Sequence, residues 1–159
     1  MQDFIMESLP DRKRPAHWAG LENGNQSVLY FVTVCTKHRQ PVLATEAMHE
    51  CIVSAWKTAE FWKVGRYVIM PDHIHLFCSP ATYPPHPFRR WVGFWKNTVA
   101  RNFDGTLWQR DIWDTQLRKG DSYTEKWQYV VNNPVRASLA SKSNDWPYQG
   151  EIEPLWWHD

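Results

Sequence analysis

The run VLYFVTVC at positions 28–35 restricts the fold more than any other feature of the chain. It is almost unbroken in β-branched and aromatic residues, so as a strand it has no polar side to show to water and must lie inside a sheet covered on both faces. The segments that follow must therefore supply both neighbours and both covers. Between Thr45 and Trp62 the apolar positions Met48, Ile52, Ala55, Trp56, Ala59 and Trp62 recur at three and four, the spacing of an amphipathic helix. VGRYVIM and HIHLFC, separated by Pro71 and Asp72, read as two strands joined by a tight turn. After the break TYPPHP, a second helix is predicted over Phe88 to Phe103, with Phe88, Trp91, Val92, Trp95 and Val99 on its apolar stripe and Gly105 beyond its end. TLWQRDIWD reads as a further strand. Ser122 and Glu125 have the capping-box spacing that announces a third helix through EKWQYVVNN. The order contains a split βαβ unit and predicts an α+β fold, a ferredoxin-like core whose mainly antiparallel sheet is backed by two helices. The third helix is surplus to that core and is free to lie on the other face of the sheet or at its edge.

A length of 159 residues suits one domain. Residues 1–26 read as an irregular lead-in with a basic cluster at Arg12, Lys13 and Arg14, residues 27–140 as the main folded domain, and residues 141–159 as an acidic, Trp-rich tail packed across the body. The formal charge of +1 excludes a binding mode driven by global basicity but not one driven by a local strip. No apolar run approaches the roughly 20 residues that span a bilayer, and the start of the chain lacks the pattern of a secretory signal. No membrane partner is expected. Cys35, Cys51 and Cys78 have none of the paired spacings of zinc sites and read as buried thiols of a cytoplasmic protein. The 11 Trp residues allow stacking surfaces or a Trp-heavy core; Trp91 and Trp95, on the apolar stripe of their helix, read as core.

Two groups of residues are candidates for chemistry. His73 and His75 flank Ile74 in a strand, so both imidazoles project from one face about 6 to 7 Å apart along it. Such a pair can share one ion or can serve as hydrogen-bonded histidines of the surface or the core. Any third ligand must come from another element. On the third helix Tyr123, Trp127, Val130 and Val131 share one side, while Tyr129 and Asn133 lie together on the other. Pro134 is expected to end or kink that helix near Asn133. Between His86 and Lys119 stand seven basic residues, Arg89, Arg90, Lys96, Arg101, Arg110, Arg118 and Lys119, against three acidic ones. Trp91, Phe94, Trp95, Trp108 and Trp113 are interleaved with them, a mixture suited to phosphates and stacked bases of a single strand.

The stretch YVIMPDHIHLF, then the basic aromatic helix, LWQRDIWD and KWQYVVNNPVRASL resemble the single-tyrosine HUH transposases, most of all the REP-associated tyrosine transposases. The likeness runs from about Val28 to Tyr148. It implies that His73, His75 and Asn133 bind a divalent metal, Mg²⁺ or Mn²⁺, and that Tyr129 is the catalytic nucleophile on single-stranded or hairpin DNA. It implies cleavage and strand transfer through a 5′-phosphotyrosine, and Arg89, Arg90, Lys96 and Arg136 are the expected DNA contacts. Two imidazoles and an amide leave the ion its full charge and open positions, with Mn²⁺ better matched to nitrogen donors. The protein is expected in the cytoplasm with the nucleoid, as a monomer in preference to a homodimer. The chain departs from its relatives at Thr115, where a His often follows the Asp, and at Ser138, within RASL. Two alternatives remain: a DNA hairpin-binding protein with this fold but little turnover, and a phosphoesterase that uses His73 and His75 as acid and base.

Overall fold

The computed structural model describes residues 28–159, so the lead-in at 1–26 lies outside the described residues. The elements run β1 (Tyr30–Thr36), α1 (Glu46–Thr58), β2 (Trp62–Ile69), β3 (His73–Pro80), α2 (Phe88–Ala100), β4 (Trp108–Gln116), α3 (Tyr123–Val131), α4 (Asn133–Arg136) and β5 (Gln149–Glu151). They form one five-stranded sheet in the order β4-β1-β3-β2-β5, with every neighbouring pair antiparallel. Its first four strands have the split βαβ order predicted from the sequence. β1 is interior and buried along its whole length, as its two apolar sides require.

Alternate residues of β1 and β3 feed two separate cores. Tyr30, Val32 and Val34 of β1 and Ile74, Leu76 and Cys78 of β3 face α1 and α2. Five tryptophans, Trp56, Trp62, Trp91, Trp95 and Trp108, are buried in this core. Trp95 is fully buried and meets Trp56, Trp91 and Trp108 edge-on, with ring centroids 5.7, 6.2 and 5.9 Å away. Two of its indole N–H groups have backbone acceptors: Trp91 donates to the Ala59 carbonyl at 2.8 Å and Trp108 to the Lys96 carbonyl at 3.0 Å. The opposite face, built from Leu29, Phe31, Val68, Met70 and Phe77, is covered by α3 and the tail through Tyr123, Val130 and Trp146. The surplus helix thus covers the second face of the sheet.

Three boundaries differ from the sequence reading. The periodicity that predicts a helix as far as Trp62 stops at Thr58, and Trp62 instead opens β2, where its indole donates to the His86 carbonyl at 2.8 Å. Its spacing suits either element, and burial against Tyr30 and Phe88 decides for the strand. The second helix closes at Ala100. The tail contributes a strand, β5, along β2, and Trp146 anchors it by donating to the Ile69 carbonyl at 2.9 Å. Cys35 and Cys78 are buried and Cys51 is half-buried. Among the described residues no helix is long and apolar enough to cross a membrane.

Trp95→Ala should cost about 3–5 kcal/mol, the usual penalty for emptying a buried aromatic site, read from denaturant unfolding. Trp95→Phe should cost distinctly less.

Candidate active site

β3 begins at a turn and immediately presents His73 and His75 on the face that carries α3. Both rings are buried, with centroids 4.7 Å apart and planes at 75°. The register that pairs Thr33 with His75 sets the Thr33 hydroxyl 2.9 Å from His75 Nδ1. His73 Nδ1 lies 2.7 Å from Asp72 Oδ1 and 3.3 Å from the Arg39 guanidinium. With Nδ1 of each ring held by a neighbour, Nε2 is the nitrogen suited to a metal, the outer-shell arrangement common at histidine ligands. Phe31 stacks on His75 at 5.4 Å and fixes the ring from the β1 side.

Arg39, Asp72 and Thr33 are the site residues that the sequence analysis missed. Asp72 was read only as part of a turn, although its place directly before His73 was the available signal. Burial alone would raise its carboxyl, but hydrogen bonds and charge from His73 and Arg39 outweigh that and bring it down to about 2. Arg39 Nε reaches Asp72 Oδ2 at 2.9 Å. It does so from a backbone in the left-handed region, φ 53°, directly after His38 at φ 55°. Such torsions on non-glycine residues cost on the order of 1–3 kcal/mol each and mark positions held by their surroundings. No local pattern in TKHRQP announces them.

α3 packs on the sheet face that carries the histidines. Ser122 caps it by accepting from the Glu125 amide, as the capping-box spacing predicts. Tyr123 is buried, packs on Phe77 and accepts from the Arg66 amide at 3.2 Å through its hydroxyl. Burial pushes that phenol up to about 12, so it stays protonated. A Cβ at Gly65 would stand 2.6 Å from Leu155 Cδ1 and 2.9 Å from Tyr123 Oη, so a larger residue there has to displace one of these side chains. Further along, Val130 joins Val68 and Met70. Tyr129 lies on the outer side of the helix, 39% exposed.

α3 ends at Val131 and the one-turn α4 starts at Asn133, so Tyr129 and Asn133 stand on two helical pieces rather than one. This is the break that Pro134 predicts. Asn133 is half-buried. The structure brings His73 and His75 together at one spot and sets Tyr129 and Asn133 on elements of the same sheet face. Arg136 lies over the Tyr129 ring, 3.9 Å from its centroid, and donates to the Tyr129 carbonyl at 2.7 Å. Among the described residues no three His, Cys, Asp or Glu side chains cluster as a ligand set.

The basic residues divide by location. Arg89 and Arg90 are exposed on α2, across the sheet from the histidines. Phe94, one turn on from Arg90, is 50% exposed, and Arg101 continues the same side. Lys96 departs from the reading that groups it with them. It is 8% exposed and donates to the Gln109 carbonyl at 2.8 Å, bracing α2 against β4. Burial lowers its ammonium below the ordinary lysine value. Thr115 pairs with Phe31 and so points to the histidine side of the sheet, while Trp113 pairs with Thr33 in the row that contains His75.

Comparison with known proteins places the chain among relatives of similar length. A Haemophilus influenzae protein, provisionally named a REP-associated tyrosine transposase, is 26% identical over 154 aligned residues, covering 81% of this chain and 86% of its own. The Escherichia coli K12 REP-associated tyrosine transposase is 22% identical over 122 residues, covering 75% and 73%. The chain is a relative of the REP-associated tyrosine transposases. No family model matches it. A solved structure of a REP-associated tyrosine transposase bound to a REP hairpin superposes with a TM-score of 0.67 at 17% identity, over 88% of this chain and 82% of the other. With the REP-associated transposases the chain thus shares its fold, including the split βαβ core.

The tail ties down the start of α3. Asp159 accepts from the Ser122 hydroxyl at 3.0 Å and from the backbone amides of Tyr123 and Thr124. Trp157 donates to the Asp121 carbonyl at 2.7 Å. The Thr124 hydroxyl bond leads the interactions that hold the Asp159 carboxyl below its ordinary 3.8. A lowered folded-state value means that this cap is complete at neutral pH and is lost as acid carries the pH down through it. An NMR titration should give Asp159 a midpoint below 3.8, with the Thr124 amide shift following the same curve.

Proposed function

We propose that the protein is a metal-dependent DNA nickase and strand transferase that acts on hairpin DNA of the REP type through Tyr129. One observation carries the reading: two histidines with anchored Nδ1 atoms meet on the sheet face covered by the helix that bears an exposed tyrosine. The kinship with REP-associated transposases supports the substrate class, and the solved relative holds a REP hairpin.

Two imidazoles and the Asn133 amide fit Mn²⁺ or Mg²⁺, which when bound supplies positive charge to a non-bridging phosphate oxygen. Asp72 and Thr33 hold the rings of His73 and His75 in the orientation that aims Nε2 outward from their Nδ1 contacts. The Tyr129 oxygen attacks the phosphorus as its proton passes to solvent, the bond to the 3′ oxygen breaks, and the departing oxygen takes up a proton from solvent as the 3′-hydroxyl. The product is a 5′-phosphotyrosine. Because one phosphoester replaces another, a different 3′-hydroxyl reverses the step and completes strand transfer without a nucleotide triphosphate.

Recognition of the hairpin falls to the outer side of α2, where Arg89, Arg90 and Arg101 flank the exposed Phe94. That side lies across the sheet from the histidines. A bound strand reaches them round the β4 edge, past exposed Arg110, Arg118 and Lys119 and the half-buried Trp113. We place this activity in the cytoplasm, with chromosomal DNA, and in a monomer of 18.9 kDa; twice that mass in solution overturns the monomer.

Labelled hairpin with a single-stranded foot, incubated with Mn²⁺, should give a covalent adduct that Tyr129→Phe abolishes. Cleavage that survives this change would replace the tyrosine mechanism with histidine acid–base hydrolysis, and binding without cleavage would leave a hairpin-binding protein. Asp72→Asn should lower adduct formation by about 10- to 100-fold, the usual cost of removing an outer-shell partner of a ligand. Arg90→Ala should weaken hairpin binding and reduce the salt slope by about one. Lys96→Ala should leave that slope unchanged and lower the melting temperature.

A further inference from the structure

We infer that Arg136 is a positioning residue for Tyr129 rather than a phosphate contact. The inference rests on Tyr129 as the nucleophile and assigns Arg136 a role that the basic-residue reading of the sequence does not.

Two contacts converge on one residue. The Arg136 guanidinium lies over the Tyr129 ring at 3.9 Å, and its Nη1 donates to the Tyr129 carbonyl at 2.7 Å. In an unbroken helix the amide of residue 133 would be the intrahelical donor to that carbonyl, since each N–H bonds to the carbonyl four residues back. Here the helix ends at Val131 and restarts at Asn133. The guanidinium spans this break, because Arg136 belongs to the second piece and Tyr129 to the first. Its own backbone is fixed by the Asn132 carbonyl, which accepts from the Arg136 amide at 3.0 Å.

The consequence is geometric. Tyr129 stands on the outer side of α3, 39% exposed. A planar cation against one face of the ring, held also by the carbonyl of the same residue, leaves the phenol few orientations. Attack on phosphorus demands such restriction, since misplacing a reacting atom by about 1 Å can cost on the order of a hundredfold in rate. Arg136 also ties the spacing of Tyr129 to α4, the element that begins with Asn133. Lysine lacks the planar fork and cannot make both contacts in the same way.

The test separates positioning from phosphate binding. Arg136→Lys and Arg136→Gln are compared with wild type by hairpin affinity at several salt concentrations and by single-turnover adduct formation at saturating DNA with Mn²⁺. The expected result is affinity within about twofold of wild type, an unchanged salt slope, and an adduct rate lower by about 10- to 100-fold in both variants. Weaker binding with a slope reduced by about one and a normal rate at saturation would make Arg136 a phosphate ligand and overturn the inference. Normal binding with a normal rate would overturn it as well. A second readout needs no DNA: 3-fluorotyrosine at position 129 should give a ¹⁹F signal that moves in both variants while their melting temperatures stay near wild type. An unmoved signal overturns the clamp. An adduct that persists in Tyr129→Phe defeats the nucleophile assignment instead, and the fluorine signal still decides whether Arg136 holds the ring.

Discussion

The pairing of β1 with β3 is the constraint on which the rest of the molecule depends. Thr33 stands opposite His75 and Val34 opposite Ile74, so neighbouring residues of each strand serve different cores. A slip of one residue would turn the histidines toward the tryptophan core and bring Ile74 and Leu76 out under α3. That alternative takes His75 away from the Thr33 hydroxyl and His73 away from the Asp72 carboxylate. The chosen register instead gives His75 the Thr33 hydroxyl and lets Asp72, at the turn, meet His73. Sheet pairing and the chemistry of the site are thus the same structural decision.

The two faces are stabilised differently. Beneath α1 and α2 the chain concentrates Trp56, Trp62, Trp91, Trp95 and Trp108, whose edge-on contacts fill a thick core that smaller residues would leave underpacked. The other face has a smaller core closed by a single helix and the tail. There the tail does structural work: β5 extends the sheet, Trp146 and Trp157 satisfy carbonyls, and Asp159 meets the open amides at the start of α3. Most of the tryptophans therefore explain packing and not nucleic-acid stacking, with Trp113 on the outer strand the main exception within the basic strip.

Much of this was legible in the sequence because each element carried a local cause. The doubly apolar VLYFVTVC had to be interior, Ser122 and Glu125 marked a helix start, and Pro134 marked a helix break. The His73–His75 pair followed from strand periodicity alone. What was not legible came from distant contacts. Trp62 fits the helical stripe and yet joins a strand, because Tyr30 and Phe88 receive it there. Lys96 looks like its basic neighbours until the Gln109 carbonyl is placed beside it. Arg39 reaches Asp72 only through two left-handed residues, and Asp159 meets α3 from 35 positions away. No period or motif encodes such meetings.

Because the sheet separates the outer side of α2 from the histidine face, the two surfaces are free to diverge at different speeds. A substitution at Arg89, Phe94 or Arg101 alters a surface whose nearest packed neighbours are α1 and the tryptophans, and it reaches Thr33 or Asp72 only through an intact layer of strands. Lineages carrying this architecture can accordingly drift on the outer side of α2 while the imidazole pair stays as it is.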